Sequence, residues 1–145
     1  MIAIGSDHGG FALKQELLAY LKELGYEYND MGCYDENSVD YPDIAEKVCF
    51  EVTSGNAQLG ILVCGTGIGM NICANKIKGI RAAQCGDTFS AKMTRRHNNS
   101  NVLTLGGRVT GCELAKEIVR EFLTNEFEGD RHERRVNKMM ALENK

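Results

Sequence analysis

Short apolar runs alternate with segments of helical periodicity along almost the whole chain. The apolar runs predict five strands, at Met1–Ile4, Tyr26–Asp30, Ile61–Cys64, Ile80–Cys85 and Val102–Leu105. Apolar residues spaced three and four apart predict six helices: Phe11–Leu24, a segment beginning at Tyr41–Pro42, Met70–Ile77, Thr88–Arg96, a segment after Gly111, and Asp130–Glu143. This alternation is typical of a parallel sheet that helices cover on both faces.

Polar or glycine-rich loops follow most of the predicted strands. In open parallel sheets, ligands bind beyond the carboxyl ends of the strands, where successive loops meet. We therefore expect a binding site formed by four loop segments: Asp7–His8, Cys64–Gly69, Gly86–Asp87 and Gly106–Arg108.

Length, charge and cysteine spacing indicate which classes of protein the chain can belong to. A chain of 145 residues with one proline and no low-complexity segment predicts a single domain over residues 1–145. Lys and Arg total 17 against 20 acidic residues, a formal charge of −3, which argues against nucleic-acid partners and a polybasic membrane surface. No apolar run approaches the ~20 residues of a membrane span. Six cysteines without a CxxC pair, and no secretory leader, favour a reduced, cytoplasmic protein.

The sequence from Gly60 to Gly69, GILVCGTGIG, carries the strongest chemical signal. A predicted strand ends there in Cys64, and three alternating glycines lead into a predicted helix. Glycines let backbone N–H groups turn toward a bound anion, and a helix N-terminus adds partial positive charge. The same field stabilises a thiolate, so Cys64 could act as a base or a nucleophile. A tight turn beside a buried cysteine is the alternative, and the motif alone leaves both open.

Two further polar clusters lie at ends of predicted elements. Asp7 and His8 precede two glycines after the first strand, where they could bind a hydroxylated or anionic ligand; Asp7 could instead cap the next helix. His97 and Asn98 close a helix. Histidine exchanges protons near neutral pH and could serve as an acid–base group, and Asn98 could bind sugar hydroxyls. A solvated charge at the helix end is the commoner role of such a histidine.

The terminal helix opens with the basic sequence RHERR. Arg131 and Arg135 are four residues apart, so they share one helix face and could bind one phosphate together. His132 lies off that line and is expected to be structural. A solvated basic face is the alternative for the whole cluster.

Common sequence motifs for nucleotide binding and for a serine nucleophile are absent from the chain. The glycine loop does not complete GxGxxG, and neither GxxxxGK[ST] nor GxSxG occurs. Asp7, His8 and His97 could bind a divalent metal, yet no HxH or HxxxH pair supplies a chelating core. We therefore expect a site without a metal and without a cofactor.

Taken together, the motifs resemble the ribose-5-phosphate isomerase B family, part of a wider sugar-phosphate isomerase group that includes the galactose-6-phosphate isomerase subunits. The segments that carry the resemblance follow in family order: Gly5–Gly10, Asp40–Pro42, Cys64–Gly69, Ala74–Lys76, His97–Asn98, Asn101–Val102, Gly107–Val109 and Arg131–Arg135. The resemblance implies a Rossmann-like three-layer α/β/α sandwich with a five-stranded parallel sheet and a C-terminal helix. It also implies a homodimer or tetramer whose active site is shared between subunits.

The resemblance further implies interconversion of ribose 5-phosphate and ribulose 5-phosphate, a step of the pentose phosphate pathway, through an enediolate. Cys64 would be the base that moves a proton between C2 and C1, and His97 would help to open the sugar ring. The substrate-binding residues that it implies are Asp7, His8, Tyr41, Gly65, Thr66, Gly67, Ile68, Gly69, Asn98, Arg108, Arg131 and Arg135. Some family members use a carboxylate within the glycine loop as the base. Here that position is Met70, which leaves Cys64.

Two alternatives stay open. One is a hexose-6-phosphate isomerase acting on galactose or allose phosphate, because one extra carbon changes binding by only ~1–3 kcal/mol. Galactose-6-phosphate isomerase subunits typically lack parts of the Asp-His or Arg-His-x-x-Arg patterns, which are intact here and favour ribose phosphate. The other alternative is a non-catalytic sugar-phosphate-binding module, which would have no need of both Cys64 and His97.

Overall fold

Five strands form one parallel sheet in the computed structural model, which describes residues 1–145. The strands are Ile2–Ser6 (β1), Tyr28–Asp30 (β2), Leu59–Cys64 (β3), Ala82–Gln84 (β4) and Val102–Gly106 (β5). The helices are Phe11–Glu23 (α1), Tyr41–Thr53 (α2), Ile68–Asn75 (α3), Thr88–Asn98 (α4), Cys112–Thr124 (α5) and Arg131–Ala141 (α6). The spatial order β2-β1-β3-β5-β4 puts β3 at the centre. The predicted α/β fold with a five-stranded parallel sheet is confirmed.

Each face of the sheet carries its own apolar cluster. Ile2 and Ile4 of β1 belong to one cluster, and Ala3 between them belongs to the other, as the two-residue period of a strand requires. The first cluster packs against α1 and α5, and the second against α2 and α3. Strands covered on both sides have continuous apolar sequences, which is why short apolar runs predicted them.

Several element boundaries differ from the predicted ones. β1 continues past Ile4 to Ser6, because Ser6 is still paired with Val63 of β3. β2 begins only at Tyr28, and β4 is limited to Ala82–Gln84.

Helix boundaries differ as well. α3 begins two residues earlier than predicted, at Ile68, and ends at Asn75. The terminal helix begins at Arg131 and ends at Ala141, where a 3₁₀ turn takes over. No helix has both the length and the apolar character needed to cross a bilayer.

A side chain covers the outer edge of β4. Nδ2 of Asn75 donates to the carbonyl of Ala82 at 3.0 Å, and Oδ1 of Asn75 accepts from the N–H of Ala82 at 2.8 Å. The amide of Asn75 therefore takes the place of the neighbouring strand that an edge residue lacks. The Ala-Asn-Lys motif at the end of α3 thus has a structural role.

A fully buried lysine ties α1 to the segment that precedes α2. Lys14 has no exposed surface, and its Nζ donates to Oδ1 of Asp30 at 2.7 Å and to the carbonyl of Cys33. Two aromatic rings lie 5.4 and 5.5 Å from the same nitrogen. The ammonium group therefore holds the end of β2 and the start of segment 31–40, which leads to Tyr41.

We expect Lys14→Met to lower the free energy of unfolding by about 3 kcal/mol, because it leaves the Asp30 carboxylate without its buried partner. Lys22→Met makes the same change at an exposed position of the same helix and should alter stability by less than about 0.5 kcal/mol. Urea denaturation followed by circular dichroism compares the two variants. Equal stability of both would show that the buried ammonium group contributes nothing.

Candidate active site

Three loops meet at the carboxyl edge of the sheet, after β1, β3 and β5. The backbone N–H of Asp7 donates to the carbonyl of Val63 at 3.2 Å, and the N–H of Gly107 donates to the carbonyl of Cys64 at 2.8 Å. The loops are therefore joined through their own backbones, with the end of β3 between the other two.

Glycines allow this close approach. A Cβ on Gly10 would lie 2.5 Å from the carbonyl oxygen of Val63, and a Cβ on Gly106 would lie 2.7 Å from the carbonyl oxygen of Thr66. Neither position can hold a side chain without separating the loops. Gly67 has a φ of +83°, a conformation in which glycine is favoured, and it turns the chain from the loop into α3.

A cavity of about 460 Å³ opens between these loops and the start of α3. Its lining residues are Asp7, Tyr41, Cys64, Gly65, Thr66, Ile68, Gly69, Ile72 and Arg108. All of them except Ile72 were predicted as site residues. Ile72 lies four residues after Ile68 and so on the same helix face, and this spacing was the available signal.

Cys64 is nearly buried at this cavity, with 5% of its surface exposed. Its Sγ accepts a hydrogen bond from the N–H of Gly67 at 3.1 Å. The N–H groups of Gly65, Thr66 and Gly69 donate to no acceptor in the chain. The loop therefore combines a sulfur atom that already accepts one backbone donor with free donors that can stabilise negative charge on a ligand oxygen.

Asp7 caps a turn and also lines the cavity. Its Oδ1 accepts from the N–H of Gly10 at 3.1 Å and so caps the 3₁₀ turn that follows β1, and the residue also lines the cavity. His8 is exposed beside it, and Nδ1 of His8 accepts from the N–H of Val39 at 3.3 Å. This bond attaches segment 31–40 to the rim of the cavity.

Tyr41 and Arg108 close opposite sides of the glycine loop. The ring of Tyr41 lies so near Gly69 that a Cβ there would be 2.6 Å from Cε1. The guanidinium of Arg108 lies against Gly65, where a Cβ would be 3.3 Å from Nη1. The cavity therefore has a phenol on one side and a positive charge on the other.

The remaining predicted residues lie elsewhere on the chain. His97 and Asn98 end α4, and Arg131 and Arg135 are exposed on α6; none of the four lines the Cys64 cavity. Asn98 lines a separate cleft of about 640 Å³ that α6 partly covers. Within one chain, therefore, His97, Asn98, Arg131 and Arg135 all lie outside the cavity that contains Cys64.

His97 belongs to a cluster that the sequence did not reveal. Its ring stacks on that of His132, with centroids 4.1 Å apart and planes within 8° of parallel. Oε1 of Glu128 lies 3.5 Å from Nε2 of His97 and 3.6 Å from Nε2 of His132. His132 is 7% exposed, and its Nε2 has no hydrogen-bond partner. Burial lowers the pKa of His132, and the nearby His97 and Arg131 lower it further.

The nitrogen and oxygen atoms of this cluster that could bind a metal all lie within 4.8 Å of one another. Metal ligands must converge on one point, whereas two parallel rings direct their nitrogen lone pairs side by side. His97, Glu128 and His132 therefore do not fit a cation in this arrangement. The sequence had suggested Asp7, His8 and His97 as possible metal ligands and gave no sign that His97 and His132 lie together.

Comparison with known proteins agrees with this geometry. The family model described as Ribose/Galactose Isomerase matches residues 2–139. Ribose-5-phosphate isomerase B of Escherichia coli is 48% identical over 98% of this chain and 95% of its own. D-erythrulose-4-phosphate isomerase of Pectobacterium atrosepticum is 48% identical over 95% of this chain and 91% of its own.

A solved structure is similarly close. That of ribose-5-phosphate isomerase B of Clostridium thermocellum has a TM-score of 0.97 and 50% identity, covering 99% of this chain and 97% of its own. Family match, sequence identity and fold agree over nearly the full length. The chain is therefore a sugar-phosphate isomerase that belongs to the ribose/galactose isomerase family and is similar to ribose-5-phosphate isomerases B.

Proposed function

We propose that the protein interconverts ribose 5-phosphate and ribulose 5-phosphate, with Cys64 as the base. The observation that carries this proposal is the Cys64 sulfur at the cavity, 3.1 Å from the N–H of Gly67 and beside the free donors of Gly65, Thr66 and Gly69. An aldose–ketose isomerisation needs a base at carbon and preorganised donors at the oxygen that becomes negative. The names of the Escherichia coli and Clostridium thermocellum relatives support ribose 5-phosphate as the substrate.

The reaction begins on the open-chain aldose. The Cys64 thiolate takes the proton from C2, the C–H electron pair forms a C1=C2 double bond, and the carbonyl pair leaves negative charge on O1. Backbone donors of the glycine loop stabilise that oxygen, each typically contributing ~3–4 kcal/mol. The O2 proton then moves to O1, the thiol returns its proton to C1, and C2 becomes the ketone. No redox partner is consumed.

The other site residues bind the two ends of the sugar phosphate. Asp7 and Tyr41 line the cavity and bind hydroxyls of the substrate. Arg108 supplies positive charge beside the glycine loop. We assign the phosphate to Arg108, His8, Arg131 and Arg135, and a further hydroxyl to Asn98.

Two copies of the chain complete each site in this proposal. His97, Asn98, Arg131 and Arg135 lie outside the cavity that holds Cys64, although the reaction needs both groups at one substrate. Ile68 and Ile72 of α3 are 51% and 54% exposed beside that cavity. A second copy that covers this apolar surface would bring its own His97, Asn98, Arg131 and Arg135 to the Cys64 cavity. The two copies would form a homodimer or part of a tetramer.

Substrate choice is tested by comparing kcat/KM for ribose 5-phosphate, allose 6-phosphate, galactose 6-phosphate and erythrulose 4-phosphate. We expect ribose 5-phosphate to be the best substrate. Faster turnover of another sugar would transfer the proposal to that sugar, with the tetrose phosphate named for the Pectobacterium atrosepticum relative as one comparator. Binding without turnover of any of them would favour the non-catalytic module.

We expect Cys64→Ala to lower kcat for ribose 5-phosphate by roughly 10²–10⁴-fold, the usual contribution of a general base. The matched control is Cys112→Ala at the start of α5, which should leave kcat unchanged. Both variants are compared in a coupled assay after circular dichroism has shown that they fold. A Cys64→Ala enzyme that keeps most of its kcat would exclude the thiol as the base.

Mixing two inactive variants tests the shared site. In a dimer of one Cys64→Ala chain and one His97→Asn chain, one site carries both changes and the other carries neither. Equal co-expression should therefore restore about a quarter of wild-type activity, since half of the dimers are mixed and one of their two sites is intact. Activity no higher than that of the separate variants would place both residues in a site formed by one chain.

A further inference from the structure

We propose that Glu128 and His132 are positioning residues that hold the imidazole of His97 for opening of the sugar ring. The inference rests on the proposed function, in which His97 acts on the closed form of ribose 5-phosphate. The two residues are not placed at the substrate; they act through His97.

Glu128 is attached directly beside His97. Its backbone N–H donates to the carbonyl of Arg96 at 3.0 Å, and Nε of Arg96 donates to Oδ1 of Asn125 at 2.8 Å. The segment before α6 is therefore held to the end of α4 at two points. The backbone that carries the Glu128 carboxylate is thus held in place beside His97, which is the support that a positioning group requires.

The carboxylate lies just beyond hydrogen-bond length from both rings. Oε1 of Glu128 is 3.5 Å from Nε2 of His97 and 3.6 Å from Nε2 of His132, and the latter nitrogen is buried without a partner. A shift of roughly 0.5 Å would bring either contact to hydrogen-bond length. Such contacts are often long without substrate and shorten when it binds.

A bond from Nε2 of His97 to Glu128 would determine how His97 reacts. A carboxylate that accepts from one imidazole nitrogen keeps the proton there and leaves the other nitrogen, Nδ1, free for the sugar. The carboxylate also places a negative charge beside the imidazolium that forms when His97 takes a proton from the anomeric hydroxyl. The same ring can then return a proton to the ring oxygen as the C1–O bond breaks.

His132 contributes a flat, neutral surface. Its ring lies parallel to that of His97 at 4.1 Å, which restricts rotation of the His97 ring. Burial and the nearby His97 and Arg131 lower the pKa of His132, so its neutral form is favoured. A neutral neighbour lets His97 become charged without a second positive imidazole against it.

Two measurements separate ring opening from the proton transfer at carbon. Turnover of ribose 5-phosphate requires ring opening, because this sugar is mostly a closed furanose. Ribulose 5-phosphate cannot close such a ring through its phosphorylated O5. Exchange of its C1 proton with deuterated solvent therefore reports the enediolate step alone. His97→Asn should slow the first process much more than the second.

We expect Glu128→Gln to slow turnover of ribose 5-phosphate about tenfold or more, part of the ~10²–10⁴-fold that a positioned acid–base group contributes. Exchange at C1 of ribulose 5-phosphate should change less than about twofold, since Cys64 performs that step. The control Glu133→Gln removes an exposed carboxylate from the first turn of α6 and should alter neither rate.

Double variants test whether Glu128 acts through His97. In the His97→Asn background, Glu128→Gln should have no further effect on ribose 5-phosphate turnover, because the group that it positions is gone. His132→Phe keeps a flat ring against His97 and should retain most of the rate, whereas His132→Ala should lose it. Equal losses in both would contradict the role of the stacked surface.

The outcomes also separate this inference from the proposed function. If wild-type protein isomerises ribose 5-phosphate and His97→Asn is selectively slow, a Glu128→Gln enzyme that matches Glu133→Gln overturns the inference alone. So does a Glu128→Gln enzyme in which both rates fall equally. If the wild-type protein does not turn over ribose 5-phosphate, the proposed function itself is overturned.

Discussion

The candidate site depends on three backbone segments that lie closer together than side chains would allow. Gly10, Gly67 and Gly106 each lie where a Cβ would meet neighbouring backbone atoms at 2.5 to 2.9 Å. Parallel pairing of β3 with β5 aligns Cys64 with Gly106, so the sheet register brings the loops to the same level. A Cβ on Gly67 or Gly106 would meet the backbone of the other loop, so a substituent there would push the glycine loop and the loop after β5 apart.

The proposed mechanism places the chemistry in two regions of the chain. The Cys64 region is built from strand ends and backbone donors, which have little conformational freedom. The His97 region is built from side chains at the junction of α4 and α6, held by contacts such as that between Glu128 and Arg96. In the proposed mechanism the rigid region performs the proton transfer at carbon, which needs preorganised donors. The side-chain region handles the sugar ring, whose opening needs a group that can take up and return a proton.

The sequence predicted the sheet well because buried parallel strands have a direct signature in apolar runs. It also predicted that the loops after β1, β3 and β5 meet at the cavity, since loops after neighbouring strands lie at one edge. The predicted Gly86–Asp87 loop does not line that cavity, and Tyr41 was indicated only by the family resemblance. The start of α3 was wrong, because the positive φ of Gly67 lets a helix begin immediately after it, within the glycine loop. The cluster of Glu128, His132 and His97 was missed because it arises from the packing of α6 on α4. No spacing along the chain indicates that two histidines so far apart stack.

The side-chain amide of Asn75 bears on whether strands of other molecules can pair with the edge of this sheet. Sheet edges with unpaired N–H and C=O groups are templates on which strands of other molecules can add, a route to aggregation. At β4 the edge groups of Ala82 are already bonded to Asn75, and at the opposite edge β2 is only three residues long. An incoming strand would have to displace the amide of Asn75 before it could bond to Ala82. Both edges of the sheet therefore offer few free backbone groups to the strand of another molecule.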